Sequence, residues 1–219
     1  MNSEETPPPH PPELGKRRRL RKEEIVAEAT RLFAERGYEG TSMGDLAERV
    51  GLRKASLFHH FESKDSLYAT VLGQLLDRVG AAIAGATSLE GTCEQRLDAL
   101  SEALTGILGA QSCAARLLFR EAMDWGPVMR EQLAGRVQTL LSAAEEFAKF
   151  AQREGVFSAE LDAKHIVLSL IGIYFVPFVL GRTVEQFVGK SPYEAPFIED
   201  RKRAIRDHIR ALALCPARA

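Results

Sequence analysis

Several kinds of functional site are absent from this 219-residue sequence, and the first are disulfide and zinc sites, which depend on cysteine. Its three cysteines, Cys93, Cys113 and Cys215, lie far apart and form no Cys-x-x-Cys pair. Widely spaced single thiols predict neither a disulfide framework nor a zinc site, so we expect a chain that works in a reducing cytosol. Neither a cofactor nor a bound metal is expected.

Catalytic fingerprints are also missing. The sequence contains no Gly-x-Ser-x-Gly, His-Glu-x-x-His, P-loop or Gly-x-Gly-x-x-Gly pattern, which are the arrangements that hydrolases, zinc proteases and nucleotide-binding enzymes use. His165 is the only histidine in the central helices, and Asp162 three residues before it makes a common surface pair. We therefore predict that the protein is not an enzyme.

No hydrophobic run is long enough to predict a membrane span. The longest, Ile166–Leu180, has 15 residues, whereas a helix needs ~20 to cross a bilayer, so this run is predicted to be a buried helix. Residues 1–15 are acidic and rich in proline, which predicts a disordered leader rather than a signal peptide. A short tail is predicted over residues 215–219, and no membrane partner is expected.

Charge is unevenly distributed along the chain. The formal net charge is −1, yet 12 Lys and Arg face 8 Asp and Glu between Lys16 and Lys64, with a dense basic run, KRRRLRK, at Lys16–Lys22. Such a local excess indicates an anionic partner, either nucleic acid or a membrane surface. The leader supplies no apolar anchor for membrane binding, so nucleic acid is favoured.

Helical periodicity dominates after Lys22, and no convincing strand alternation appears. We predict an all-α fold with three short helices in residues 16–63 and six longer helices in residues 64–214. The short ones are predicted at about Leu20–Arg36, at Met43–Val50 with Ser42 as N-cap and Asp45 completing a capping box, and at Arg53–His60. The longer ones are predicted to begin near Lys64, Glu94, Cys113, Val128, Asp162 (ending at Leu180 or continuing to Val188) and Phe197.

The second and third short helices have the form of a helix-turn-helix. A turn containing Gly51 joins them, and the first helix supports them. Leu57 and Phe61 are predicted to hold the third helix to the core, which leaves its polar side chains facing outward. A short helix with such an exterior fits a DNA major groove about 12 Å wide.

Three stretches make the interpretation more specific: LFAERGYEGTSM (Leu32–Met43), DLAERVGL (Asp45–Leu52) and KASLFHHFESKDSL (Lys54–Leu67). With their spacing, they closely resemble the amino-terminal domain of the TetR family of bacterial one-component repressors. The resemblance covers about Arg21–Val71, near a quarter of the chain. It implies a helix-turn-helix DNA-binding domain, followed by a six-helix domain for ligand binding and dimerisation.

The resemblance implies roles for particular residues. Thr41 and Ser42 match positions that bond phosphate through hydroxyl and amide donors, and Lys64 matches a phosphate-contacting lysine. Positions on the recognition helix, or close to the DNA backbone beside it, are matched by Lys54, Ser56, Phe58, His59 and His60. Arg53 departs from the family, which often has a serine cap there, and adds a cation at the DNA surface.

Each of these residues has a structural alternative. Arg53 and Lys54 also fit solvated surface charges, and Phe58 also fits a core position. His59 and His60 point about 100° apart on a helix, which makes a poor metal pair. The basic run, with Arg17, Arg18 and Arg19, is predicted as a flexible arm for phosphate or the minor groove, against the alternative of a solubilising charge run.

The larger domain is implied by the resemblance to form a homodimer through its last two helices and to enclose a small, largely hydrophobic effector. We predict an effector site at Arg116, Phe119, Arg120, Met123, Trp125, Tyr174 and Phe178. Its aromatic residues also fit the subunit's own core.

The sequence thus predicts a homodimeric, effector-released repressor of palindromic operator DNA, found in the bacterial cytoplasm with the nucleoid. The alternative is a DNA-binding activator or architectural protein without an effector.

Overall fold

The computed structural model of the chain describes residues 14–213, with side chains described from residue 22 to residue 210. The predicted leader lies outside this part except for Leu14 and Gly15, which begin the first helix, and the predicted tail at residues 215–219 lies outside it entirely.

Residues 14–213 contain ten α-helices and one π-helical segment, joined by loops, and no strand. The first three are α1 (Leu14–Arg36), α2 (Met43–Arg49) and α3 (Lys54–Phe58). The others are α4 (Lys64–Ser88), α5 (Cys93–Ala110), α6 (Ser112–Asp124), the π-segment (Met129–Leu133), α7 (Ala134–Arg153), α8 (Ala163–Leu180), α9 (Arg182–Val188) and α10 (Ala195–Ala213). The predicted all-α class is confirmed.

The structure has more elements than the nine helices predicted. The helix expected from Val128 to Glu154 begins as the π-segment and becomes regular only at Ala134. The possible continuation of α8 to Val188 is wrong, because Gly181 adopts a φ of +42° and separates α8 from α9. A positive φ is open to glycine at little cost, so the chain changes direction there.

The first three helices enclose a small apolar core, as their periodicity predicts. Ile25, Ala29, Leu32 and Phe33 of α1 are buried, together with Met43, Leu46 and Ala47 of α2, Leu57 of α3 and Phe61 after it. Gly51, with a φ of +63°, makes the tight turn between α2 and α3. We call residues 22–63 the head domain.

Helix α4 joins the head domain to the rest of the molecule. Its 25 residues span about 37 Å, and it packs against α1 on one side and against α5, α6 and α7 on the others. We call residues 64–213 the body domain. Because α4 begins where the head domain ends and packs against α1, it connects the body domain directly to the head.

Helix α8 is less buried than its composition predicts. It is the one helix among the described residues with the length and hydropathy of a membrane span, yet only 28% of its 18-residue window is buried in the chain. Leu168, Val176 and Leu180 are exposed, while Ile166, Val167 and Tyr174 face inward. The prediction of a buried helix is therefore wrong for the single chain: one face packs inward and the other has no partner within residues 22–210.

Candidate nucleic-acid interface and apolar cavity

Helix α3 is held in place by its apolar side. Leu57 is fully buried and Phe61 is 3% exposed, and the backbone N–H of Phe61 donates to the Leu57 carbonyl at 3.0 Å. The orientation of this five-residue helix is fixed by these anchors, because so short a helix has little stability of its own.

The opposite side of α3 is an open polar surface. Arg53, Lys54, Ala55 and His59 are exposed, and Phe58 is 41% exposed. Arg53 is the N-cap residue, and its side chain makes no capping hydrogen bond. Neither Arg53 nor Lys54 is paired with an acidic side chain within residues 22–210. Both cations are therefore available to an anionic partner. Ser56 and His60 are half-buried at the edge of this surface.

The start of α2 is closed by the predicted capping box. The Asp45 amide donates to the Ser42 hydroxyl oxygen at 3.1 Å, while the Ser42 amide and hydroxyl donate to the Asp45 carboxylate at 3.1 and 2.8 Å. These hydrogen bonds hold the pKa of Asp45 below its ordinary value. Ser42 is exposed, but both of its donors are engaged, so a phosphate would have to displace the Asp45 carboxylate to bond them.

Thr41 does not have the geometry implied for it. It is 3% exposed, its hydroxyl donates to the Gly37 carbonyl at 2.9 Å, and its amide donates to the Tyr38 carbonyl at 3.2 Å. A buried residue whose two donors bond the chain has none left for phosphate. The structure gives Thr41 a supporting role in the turn between α1 and α2.

Lys64 is brought to that same turn. Its Nζ donates to the Tyr38 carbonyl at 3.1 Å and lies 4.0 Å from the centre of the Tyr38 ring. The Tyr38 hydroxyl in turn donates to Asp65. The ammonium of Lys64 is therefore held against the turn between α1 and α2.

The prediction of a flexible arm is wrong, because the basic run lies within α1, which begins at Leu14 rather than at about Leu20. The side chains of Arg17, Arg18 and Arg19 fall outside the described residues. Lys22, at the end of the run, has its Nζ 5.2 Å from the centre of the Phe61 ring. This contact places one cation of the run beside the end of α3.

The body domain contains an apolar cavity of about 330 Å³. Its wall is formed by 24 residues from α4 to α8, the π-segment and the loop before α8. All have aliphatic or aromatic side chains, and no charged residue lies among them. Two residues of the wall, Trp125 and Leu168, are 56% and 58% exposed, so the cavity opens between the end of α6 and the first half of α8.

Only part of the predicted effector site lines this cavity. Phe119, Trp125 and Tyr174 do. Phe178 is fully buried elsewhere, with its ring 6.4 Å from that of Phe197 in α10. Met123 is 69% exposed and is not part of the cavity wall. Neither predicted polar residue reaches the wall: Arg116 is half-buried, and Arg120 approaches Gly37 of the head domain.

A pair of buried hydroxyl groups stands at one side of the cavity. The hydroxyl oxygens of Tyr174 and Ser101 lie 2.5 Å apart, and burial raises the pKa of Tyr174 to about 12. The phenol is therefore neutral at physiological pH. Ser101 is 1% exposed and was not anticipated from the sequence, because a serine at a helical core position has no distinctive spacing.

A second unanticipated contact ties α7 to α4. The Arg136 guanidinium donates to the Gly73 carbonyl at 3.0 Å and also bonds Asp77 of α4. A methyl group at Gly73 would lie 2.3 Å from the Arg136 Nη1 atom, so the contact requires glycine at this position. Because α7 lines the cavity and α4 leads to the head domain, this arginine lies on a direct route between the two.

Comparison with known proteins agrees with this architecture. Residues 25–71 match the model of the bacterial regulatory proteins of the tetR family, which confirms the predicted resemblance. The negative transcriptional regulator IcaR of the biofilm operon icaADBC from Staphylococcus aureus is 23% identical over 194 residues, which are 87% of this chain and 96% of IcaR. The transcriptional activator FasR of Mycolicibacterium smegmatis is 30% identical over 126 residues, 58% of this chain and 56% of FasR.

Solved structures show the same fold over nearly the whole chain. The crystal structure of AibR, in complex with isovaleryl coenzyme A and operator DNA, has a TM-score of 0.66 and 20% identity, and covers 86% of this chain and 97% of AibR. The head and body domains together therefore have the fold of this group of proteins.

Proposed function

We propose that the chain is a transcriptional regulator of the TetR family that acts as a homodimeric repressor of palindromic operator DNA. The match of residues 25–71 to the tetR family model and the similarity to the negative regulator IcaR support this proposal. The proposed division of labour places DNA binding in residues 16–63 and effector binding with dimerisation in residues 64–214. The observation that carries the proposal is the outward face of α3, with two unpaired cations above a fully buried anchor.

The proposed DNA contacts follow from exposure and charge. Lys54 suits a hydrogen bond to guanine O6 or N7, and Phe58 suits an apolar contact with a thymine methyl group. Arg53, Ser56, His59, His60, Lys64 and the basic run would bind phosphate nearby. For Ser42, a phosphate contact competes with Asp45, and for Thr41 we propose no contact.

The proposed dimer follows from the unpartnered side of α8. Exposed leucine and valine side chains along one face of a helix favour burial against another protein surface. A two-fold partner also fits DNA geometry, because two recognition helices about 34–36 Å apart read successive major grooves. In sedimentation experiments, Val176→Glu should yield monomers. Leu89→Glu, at an equally exposed apolar residue beyond α4, should leave the dimer intact.

Regulation is proposed to run from the cavity to α4. A ligand that binds one arrangement of α7 and α4 more tightly than the other shifts the separation of the two heads, and only this difference in affinity changes DNA binding. AibR, with a similar fold, was solved with both an acyl coenzyme A and operator DNA, which supports a combined ligand-and-DNA function.

The experiment that tests DNA binding is a gel-shift titration on a duplex selected from random sequences, with excess competitor DNA. Specific binding should survive the competitor, and Lys54→Ala should weaken it by about 1–3 kcal/mol. Arg153→Ala, at an exposed cation at the end of α7, serves as the control and should leave affinity unchanged. Weak, sequence-independent binding by the unmodified protein would overturn the proposal, and an equal loss on all sequences would assign Lys54 to phosphate.

An activator is the second candidate function, and its support is the relation to FasR. A transcription assay with purified RNA polymerase distinguishes the two. Repression predicts less transcript from a promoter overlapping the operator, whereas activation predicts more transcript from a promoter next to it.

A further inference from the structure

The wall of the cavity restricts the chemistry of what it can hold. Among its 24 residues, only Tyr174 and Trp125 carry a polar side-chain atom. An ionised group in such surroundings would lose its hydration and gain no opposite charge in return. A ligand enclosed by this wall is therefore uncharged.

The wall can nevertheless form one neutral hydrogen bond with a ligand. The hydroxyl groups of Tyr174 and Ser101 need only one of their two hydrogens to bond each other. The Thr105 hydroxyl donates to the Ser101 carbonyl oxygen, so it takes no hydrogen from either the Tyr174 or the Ser101 hydroxyl. When Ser101 donates to Tyr174, the phenolic hydrogen remains for an alcohol, ketone or ester oxygen.

Cavity volume sets the size of the ligand. An apolar cavity of about 150 Å³ holds one benzene molecule of six carbon atoms. By proportion, a cavity of 330 Å³ holds roughly a dozen non-hydrogen atoms.

The α6 side of the cavity opening is unfavourable to an anion, whereas the α8 side carries the exposed Lys164 and His165. Asp124 precedes Trp125 at the opening, and Glu121 accepts a hydrogen bond from the amide of Met129, a wall residue, at 3.0 Å. A carboxylate or phosphate placed at the end of α6 would meet these acidic groups. Neither Arg116 nor Arg120 belongs to the wall.

We propose that the effector is an uncharged, mainly hydrocarbon molecule of about a dozen non-hydrogen atoms, with at most one neutral oxygen, which bonds the Tyr174 hydroxyl. This inference rests on the proposed function and specifies its ligand class. The proposed ligand class differs from that of a regulator that recognises the charged part of its ligand.

The test uses the full-length protein and the fluorescence of Trp125, the single tryptophan, which stands at the opening. Two probes of equal chain length, 1-decanol and decanoate, are titrated at neutral pH below their aggregation concentrations. We expect the Kd of 1-decanol to be at least ten-fold lower than that of decanoate. Equal or tighter binding of decanoate would overturn the inference.

Variants locate the ligand. Ala144→Phe fills the cavity from α7 and should weaken 1-decanol binding at least ten-fold, while Ala143→Phe, at the exposed neighbour outside the wall, should leave the Kd within two-fold. Tyr174→Phe should weaken 1-decanol about five-fold and leave butylbenzene, which has no oxygen, within two-fold. Arg116→Ala should change neither decanol nor decanoate binding, and a selective loss of decanoate would identify an anion site and overturn the inference.

Operator release separates failure of the inference from failure of the proposed function. If decanoate alone binds and releases operator DNA, the regulator stands and the ligand class is wrong. If neither probe binds a protein that does bind its operator, both the ligand class and the cavity's regulatory role are overturned.

Discussion

The head and body domains place their chemistry in opposite positions. In the head, the apolar side chains form a buried core and the side chains of α3 proposed to contact DNA are exposed or partly exposed. In the body, the apolar side chains surround an open space, and the feature proposed to be functional is the space itself. The comparison teaches that a DNA surface depends on a few polar residues, whereas a ligand cavity depends on many apolar ones acting together.

The largest expected effect tests how differently the two interiors are packed. Leu57→Ala removes the fully buried anchor of α3 and should cost about 2–5 kcal/mol of unfolding free energy, with loss of DNA binding. Leu140→Ala, at a half-buried residue of the cavity wall, should cost clearly less, because fewer atoms contact the deleted group. Urea denaturation measures both, and equal losses would contradict the contrast.

A smaller effect tests the supporting role of Thr41. Thr41→Val keeps the shape but removes a buried hydroxyl donor, so the Gly37 carbonyl loses a partner, and stability should fall by about 1–3 kcal/mol. DNA affinity, measured well below the melting temperature, should stay the same. Thr30→Val is the control, since that hydroxyl bonds the Val26 carbonyl within a helix at a half-buried site. A large loss of DNA affinity without loss of stability would instead indicate that Thr41 contacts phosphate directly.

The capping box gives an effect of about 1 kcal/mol at Ser42 and a pH-dependent effect at Asp45. Ser42→Ala should destabilise the head by roughly this amount, as N-cap losses do. The pKa of Asp45 is lowered in the fold, so its contribution is present above the unfolded value of about 3.9 and is lost as pH falls through the folded value. The difference in thermal stability between the unmodified protein and Asp45→Asn should therefore shrink below about pH 4. A constant difference down to pH 2 would contradict it.

The smallest change in stability is expected where the two domains are coupled. Gly73→Ala pushes the flexible end of Arg136 away, while alanine favours the helix by roughly 0.5–1 kcal/mol, so net stability should change by less than about 1 kcal/mol. The response of DNA binding to effector should nevertheless weaken. Gly85→Ala in the same helix, with open space around it, should show the stabilisation alone. Identical effector responses in both variants would show that Arg136 does not couple the cavity to DNA binding.

The sequence was most informative where chemistry is local. The capping box at Ser42 and Asp45 follows from three-residue spacing, and the buried stripe of Ile25, Ala29 and Leu32 follows from helical periodicity. Both predictions are confirmed. Family resemblance was less informative about side-chain geometry: it implied a phosphate contact for Thr41, whose hydrogen bonds face inward.

In the body domain, periodicity could not distinguish a wall from a core. Tyr174 lines the cavity and Phe178, one turn later on α8, does not, although both are buried aromatic residues. Tyr174 bonds Ser101 of α5, whereas Phe178 packs against Phe197 of α10, and these partners are set only by the assembled fold. The π-segment had no visible signal either, since its five residues would also fit an ordinary helix.

That π-segment has a consequence for how the chain tolerates a change in length. A π-turn carries one residue more than an α-turn, as an insertion into a regular helix would. Residues of a π-turn rotate by less per residue than those of an α-helix, so deleting one residue between Met129 and Leu133 should restore a regular helix and leave the turn before it in about the same phase relative to α7. Met129 and Leu133, both buried, would then stand three residues apart and still share one face of the helix, so the segment should tolerate the loss of a single residue.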